Sequence, residues 1–212
     1  VDAIACGEGE HTLAELVKCL RSGGEPARVP GLVLNRAGVQ EATAPRPAIA
    51  DLDSLPLPAR QLTARWRRRY HWMNQHPHAL VETSRGCPYR CNFCSVWRFH
   101  GSPVRYASPE RVAAEVAAVE APWVLFTDDN FLLSVSRARR AAELIAARGL
   151  RKHYTFQARS DTIVQHPDLL AQWRDIGLVC VFLGLEKTTD EALADMDKDN
   201  TAANNEAAIR LL

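Results

Sequence analysis

From Ala79 onward the sequence alternates short apolar runs with amphipathic stretches, and nothing else restricts its fold as strongly. Ala79 to Thr83, Trp123 to Thr127, His153 to Ala158 and Leu178 to Leu183 read as strands. Ser108-Pro109-Glu110 supplies a cap and a first-position proline for the helix after the first strand. Arg137 to Ala147 is a helix stopped by Gly149, and Pro167 to Asp175 a helix stopped by Gly177. Thr188-x-x-Glu191 reads as a capping box before another. Strands alternating with helices imply a parallel sheet with right-handed crossovers. Four such units cannot close an eight-fold barrel, so an α/β fold containing the first four units of a partial (β/α) barrel is expected. Chemistry in barrels of this kind sits on the loops after the strands' C-terminal ends.

The first of those loops carries the strongest chemical signal. Thr83-Ser84-Arg85-Gly86-Cys87-Pro88-Tyr89-Arg90-Cys91-Asn92-Phe93-Cys94 places three of the six cysteines at C-x3-C-x2-C spacing directly after the first strand. Six cysteines so unevenly placed do not make a disulfide scaffold, and the cluster reads as metal binding. Thiolates are the ligands of iron–sulfur clusters, which normally take four. Three leave one iron open to a further ligand. Gly86 and Pro88 suit a loop that wraps tightly. The alternative is a structural zinc site, with His100 as the fourth ligand. Cys6, Cys19 and Cys180 sit in apolar runs and are expected to be buried hydrophobes.

Upstream, Val1 to Cys6 is a short apolar run followed by Gly7-Glu8-Gly9-Glu10, and Leu13, Leu16, Val17 and Leu20 recur at helical spacing. A small hairpin is expected around Ala37-Gly38. Pro45, Pro47, Pro56 and Pro58 mark an extended connection. The expected organisation is a domain remnant over 1–42, a linker over 43–78 and the partial barrel over 79–212. The chain opens on Val and stops inside a helical pattern, so it is expected to be part of a longer protein. No apolar run reaches the roughly 18 residues of a membrane span, and a net charge of +1 gives no general attraction to nucleic acid. A cytoplasmic protein is expected.

The cysteine loop resembles the radical S-adenosylmethionine (AdoMet) superfamily, whose mark is C-x3-C-x-aromatic-C after the first barrel strand, with Phe93 as the aromatic. The resemblance implies a 4Fe-4S cluster on Cys87, Cys91 and Cys94, with AdoMet on the open iron. It further implies that the cofactor is approached by Phe93, by Asp128, Asp129 and Asn130 after the second strand, by Gln157 and Arg159 after the third, and by Glu186 after the fourth. Each of these residues read by itself is equally an ordinary cap or loop residue. The Gly7-Glu8-Gly9-Glu10 turn and the linker from Ile49 to Arg60 resemble the end of the Rossmann-like cobalamin-binding domain that precedes many such barrels, which makes Gly7 and Gly9 candidate cobalamin contacts. The upstream D-x-H-x-x-G motif of that domain is absent here, and the bare sequence is also that of a plain strand-to-helix turn. The resemblance implies a cobalamin-dependent methyltransferase served by an electron donor such as flavodoxin or ferredoxin. The non-methylating cyclases of the family and a non-catalytic metal-binding module stay open.

The strings Ser95 to Gly101, Thr127 to Leu132 and Tyr154 to Ile163 look like those of hopanoid C-3 methylases, which implies a lipid substrate. Arg65-Trp66-Arg67-Arg68-Arg69-Tyr70-His71-Trp72 mixes cations with aromatics. That composition suits peripheral contact with the inner face of a membrane, or with single-stranded nucleic acid. The reading favoured is a solvated face whose aromatics pack on the barrel.

Overall fold

The computed structural model describes residues 1–101 and 103–212. They form two compact units, Val1–Ala50 and Asp51–Leu212.

In the first unit, β1 (Ala3–Ala5) leads into α1 (Gly9–Arg21), and a hairpin follows from β2 (Leu32–Arg36) and β3 (Val39–Ala42). The three strands form one antiparallel sheet in the order β1-β2-β3. Val29, Leu32 and Leu34 are its buried core, with Leu16 and Cys19 packed on them. Gly31 is required at φ +82°, where a Cβ would stand 2.9 Å from Thr12 Oγ1. One helix covers one face only. Leu13, Val17 and Leu20 therefore remain exposed, and Cys6, expected to be buried, is exposed as well. Cys19 and Cys180 are half-buried.

The stretch 43–78 does not stand apart as a linker. Its first part closes the first unit: the Gly31 N–H donates to the Ala44 carbonyl, Arg46 pairs with Glu15, and the Ile49 N–H donates to Glu8. Its second part is built onto the barrel. Asp53 accepts from the Ser108 N–H, Arg111 donates to the Leu55 and Pro56 carbonyls, and Arg60 pairs with the buried Glu115. The basic segment is a run of 3-10 turns over Arg60–Arg69, with Arg65 stacked on Trp66 and Arg67 paired to Glu120.

The second unit contains β4 (His78–Val81), β5 (Ser84–Arg85), α2 (Val96–His100), β6 (Arg105–Tyr106), α3 (Pro109–Ala118), β7 (Trp123–Phe126), α4 (Val135–Ala147), β8 (His153–Ala158), α5 (Ser160–Gln165), α6 (Pro167–Ile176), β9 (Leu178–Leu183), α7 (Asp190–Ala194) and α8 (Ala202–Leu211). The strands β4, β7, β8 and β9 form a parallel sheet in chain order, as expected of consecutive barrel units. Registered partners share a face. One face carries Val81, Val124, Phe126, Tyr154 and Phe156. All are buried, and Trp173 of α6 meets Phe126, Tyr154 and Phe156 nearly edge-on. The other face carries Leu80, Leu125, Thr155 and Phe182. There Leu80 and Phe182 are 56% and 58% exposed.

The caps explain the helix starts. Ser108 Oγ accepts from the Arg111 N–H. The fourth cap falls on Thr189, not Thr188: its hydroxyl accepts from the Ala192 N–H, so the expected capping box is one residue out of phase. Gly177 ends α6 at φ +117°, and a Cβ there would lie 2.0 Å from the Lys152 carbonyl oxygen.

Candidate functional site

The loop from Gly86 to Cys94 leaves the C-terminal end of β4 through the short β5 strand. Gly86 turns it at φ +96°, with room for a Cβ only 3.3 Å from His100 Cβ. None of its cysteines is bonded to another: Cys91 is buried, and Cys87 and Cys94 are half-buried. They lie near enough that the Cys94 and Cys91 sulfurs weigh on the Cys87 thiol. Burial is the larger cause pushing that thiol up, a backbone hydrogen bond at Tyr89 opposes it, and Asp129 adds to it. Among the described residues no three His, Cys, Asp or Glu side chains converge on a single ion. A four-iron cluster does not need that convergence, because each thiolate takes a different iron.

The residues after β7 divide into two kinds. Asp128 is 1% exposed and is held inward, accepting from the Thr83 N–H at 3.1 Å, from Thr83 Oγ1 at 2.8 Å and from Ser84 Oγ. Arg137 of α4 approaches it at 3.9 Å and also donates to the Thr83 carbonyl and to Thr83 Oγ1. Burial nevertheless raises the Asp128 carboxyl above the usual range. This residue, an expected cofactor contact, also holds β4 against the end of β7. Asp129 is half-buried beside Cys87. Burial raises its carboxyl, against the opposing pull of His100 and the Gly86 N–H. Asn130 is 3% exposed, yet neither its Oδ1 nor its Nδ2 has a hydrogen-bond partner. An orphaned buried amide in a folded protein calls for a ligand or a bound water.

After β8, Gln157 is half-buried on the more open face of the sheet, in register with Phe182. Arg159 is 7% exposed and already engaged. It forks onto Asp161, donates to the Asp199 carbonyl, and stacks 3.7 Å above the Tyr89 ring. After β9, Glu186 turns back at φ +65° and pairs with Lys198 at 3.2 Å, while Lys198 also donates to the Gly184 carbonyl at 2.7 Å. Phe93 is exposed beside the cysteines. Gly7 and Gly9 lie in the first unit, at the turn into α1, with open space where a Cβ would stand.

Four residues central to this geometry carried no mark in the sequence reading. They are Tyr89 under Arg159, Asn92, whose N–H and side chain donate to the Met196 and Asp195 carbonyls, Arg137 behind Asp128, and Lys198. Only Tyr89 left a local signal, an aromatic between two of the cysteines.

The donor set fits an iron–sulfur cluster. Three unpaired thiols share one strand-end loop, and an unpartnered buried amide lies on the same rim. The model of the Radical SAM superfamily matches residues 81–212. Hopanoid C-3 methylase of Methylococcus capsulatus is 32% identical over 99% of this chain and 39% of its own length. Anaerobic magnesium-protoporphyrin IX monomethyl ester cyclase of Synechocystis is 27% identical over 100% of this chain and 42% of its own. The chain therefore spans about two fifths of these curated relatives. Among solved structures, the cobalamin-dependent AdoMet radical enzyme OxsB superposes with a TM-score of 0.78 at 22% identity, over 99% of this chain and 31% of that one. The methyltransferase TsrM from Kitasatospora setae superposes at 0.75 and 21%, over 99% and 43%. These two likenesses establish the fold. No helix among the described residues is long and apolar enough to cross a membrane. With the family match running from the first barrel strand, through the cysteine loop, to the last residue, the chain belongs to the radical SAM superfamily.

Proposed function

We propose that the parent protein is a cobalamin-dependent radical AdoMet methyltransferase that methylates an unactivated carbon of a hopanoid-type lipid. The observation that carries this reading is the extent of the likeness. The superfamily match begins at residue 81, whereas the similarity to hopanoid C-3 methylase takes in both compact units. When bound, a four-iron cluster supplies the electron for reductive cleavage of AdoMet, and cobalamin a transferable methyl group. The chain's own part is to hold and orient. Cys87, Cys91 and Cys94 would hold the cluster. The Asn130 amide offers a donor and an acceptor at the same rim, which suits the amino and carboxylate groups of AdoMet. Leu80 and Phe182, exposed on the open face of the sheet, suit an apolar substrate. An unactivated ring carbon has no acidic proton for a base to remove, so radical chemistry fits the substrate.

The cyclase relatives favour a second reading, because they too match along the whole chain. Two experiments test these readings. Deleting the parent gene in a hopanoid-producing host should remove 3-methylhopanoids and leave the unmethylated hopanoids. Unchanged 3-methylhopanoids would refute the substrate. A full-length protein that cleaves AdoMet but retains no cobalamin would refute the methyltransferase.

A further inference from the structure

Arg159, an expected cofactor contact, is also tied to the cysteine loop by its surroundings. Its guanidinium is fixed along its edge by the Asp161 carboxylate at 2.7 Å and by the Asp199 carbonyl. Its face lies 3.7 Å over the ring of Tyr89, which stands inside the cysteine motif between Cys87 and Cys91. A cation over an aromatic face is attracted by the ring quadrupole, and more strongly where water is excluded. The 195–199 turn that takes one Arg159 donor also accepts both Asn92 hydrogen bonds, at 3.1 Å to Met196 and 2.7 Å to Asp195. The loop between the first and last cysteine is thus held at Tyr89 and Asn92 by one structure, of which Arg159 is the charged part.

We infer that Arg159 is a positioning residue for the cysteine loop, acting through Tyr89, and that its fixed positive charge makes the cluster easier to reduce. The inference rests on the cluster assignment above. Asp161 offsets part of the charge by accepting along the Nε and Nη2 edge of the guanidinium. Net charge near an iron–sulfur cluster is one of the terms that set its potential. Replacing Arg159 by a neutral residue leaves Asp161 uncompensated and should make the reduced cluster harder to reach.

The test uses the full-length protein, reconstituted without oxygen, with Arg159→Gln, Arg159→Lys, Tyr89→Phe and Tyr89→Ala. Iron release to a chelator reports how firmly the loop is held, and a redox titration followed by electron paramagnetic resonance reports the potential. Arg159→Gln should release iron at least about tenfold faster and shift the reduction equilibrium about tenfold toward the oxidised form, about 59 mV for one electron. Arg159→Lys keeps the charge without the planar stack, so it should restore the potential and still release iron quickly. Tyr89→Phe should match the wild type in both. Tyr89→Ala leaves the Asp161 and Asp199 anchors intact, so it should release iron quickly with little change in potential, and it serves if Arg159→Gln does not fold. Wild-type potential and wild-type release in Arg159→Gln, or in Tyr89→Ala wild-type release, would overturn the inference. A wild-type protein that takes up no iron would instead overturn the cluster assignment beneath it.

Discussion

Replacing Arg137 by Met should destabilise the barrel unit by about 3–5 kcal/mol, the cost of leaving a buried charge without its partner. Asp128 is the charge in question. At 3.9 Å from Arg137, with an effective dielectric of about 20, the attraction lost is about 4 kcal/mol. The three hydrogen bonds from Thr83 and Ser84 remain, and they keep the loss from growing beyond that. Asp128→Asn alone should cost less, about 1–3 kcal/mol, because Arg137 still donates to Thr83 and to the Phe131 carbonyl. The double variant removes both charges together and should be clearly more stable than the sum of the single losses implies. Urea unfolding of this chain with reduced thiols, followed by far-UV circular dichroism, gives all four corners of the cycle. The pH dependence adds a check. Burial already raises the Asp128 carboxyl, and without Arg137 the group can escape its isolation by keeping a proton. The Arg137→Met penalty should therefore be smaller near pH 5 and grow as pH rises. Additive single losses, or a penalty that shrinks with rising pH, would refute the reasoning.

Three further outcomes are expected. Trp173→Ala opens a cavity among Phe126, Phe131, Tyr154 and Phe156 and should cost about 3–5 kcal/mol in the same unfolding assay. Gly177→Ala forces a Cβ to 2.0 Å from the Lys152 oxygen at φ +117°; the chain should express largely insoluble or lose more than about 3 kcal/mol. Burial raises the Glu115 carboxyl despite its Arg60 partner, so the folded state holds that proton more tightly than the unfolded chain does. Its contribution should fall as pH rises from the unfolded value near about 4.3 through the raised folded value, and Glu115→Gln should flatten that part of the stability profile.

The barrel units were legible because each carries its own local marks. The Ser108 cap, the Gly177 stop and the run from His153 to Ala158 all stand where the pattern put them. The slip from Thr188 to Thr189 arose because two adjacent threonines can each satisfy part of a capping pattern, and only the side-chain hydrogen bond chooses between them. The prolines of the 43–78 stretch marked extended backbone correctly but say nothing about docking, which depends on Asp53, Arg60 and Arg111 meeting partners more than fifty residues away. At the site, the grouping of three cysteines in one strand-end loop is visible in their spacing and in the strand before them. The inward commitment of Asp128 and the Arg159–Tyr89 stack are not, because each joins residues from different strand ends that share no sequence period.

The anchoring of Asn92 to the Asp195 carbonyl spans 103 positions, and that separation sets a clock. A ribosome adds roughly 5–20 residues per second, so on the order of 5–20 s pass between the synthesis of the two partners. During that interval the cysteines have been made but the turn that anchors Asn92 between two of them has not. The loop completes its hydrogen bonds only after Asp195 and Met196 have been added to the chain. Until then Asn92, between Cys91 and Cys94, has neither of the carbonyls to which it donates in the folded chain.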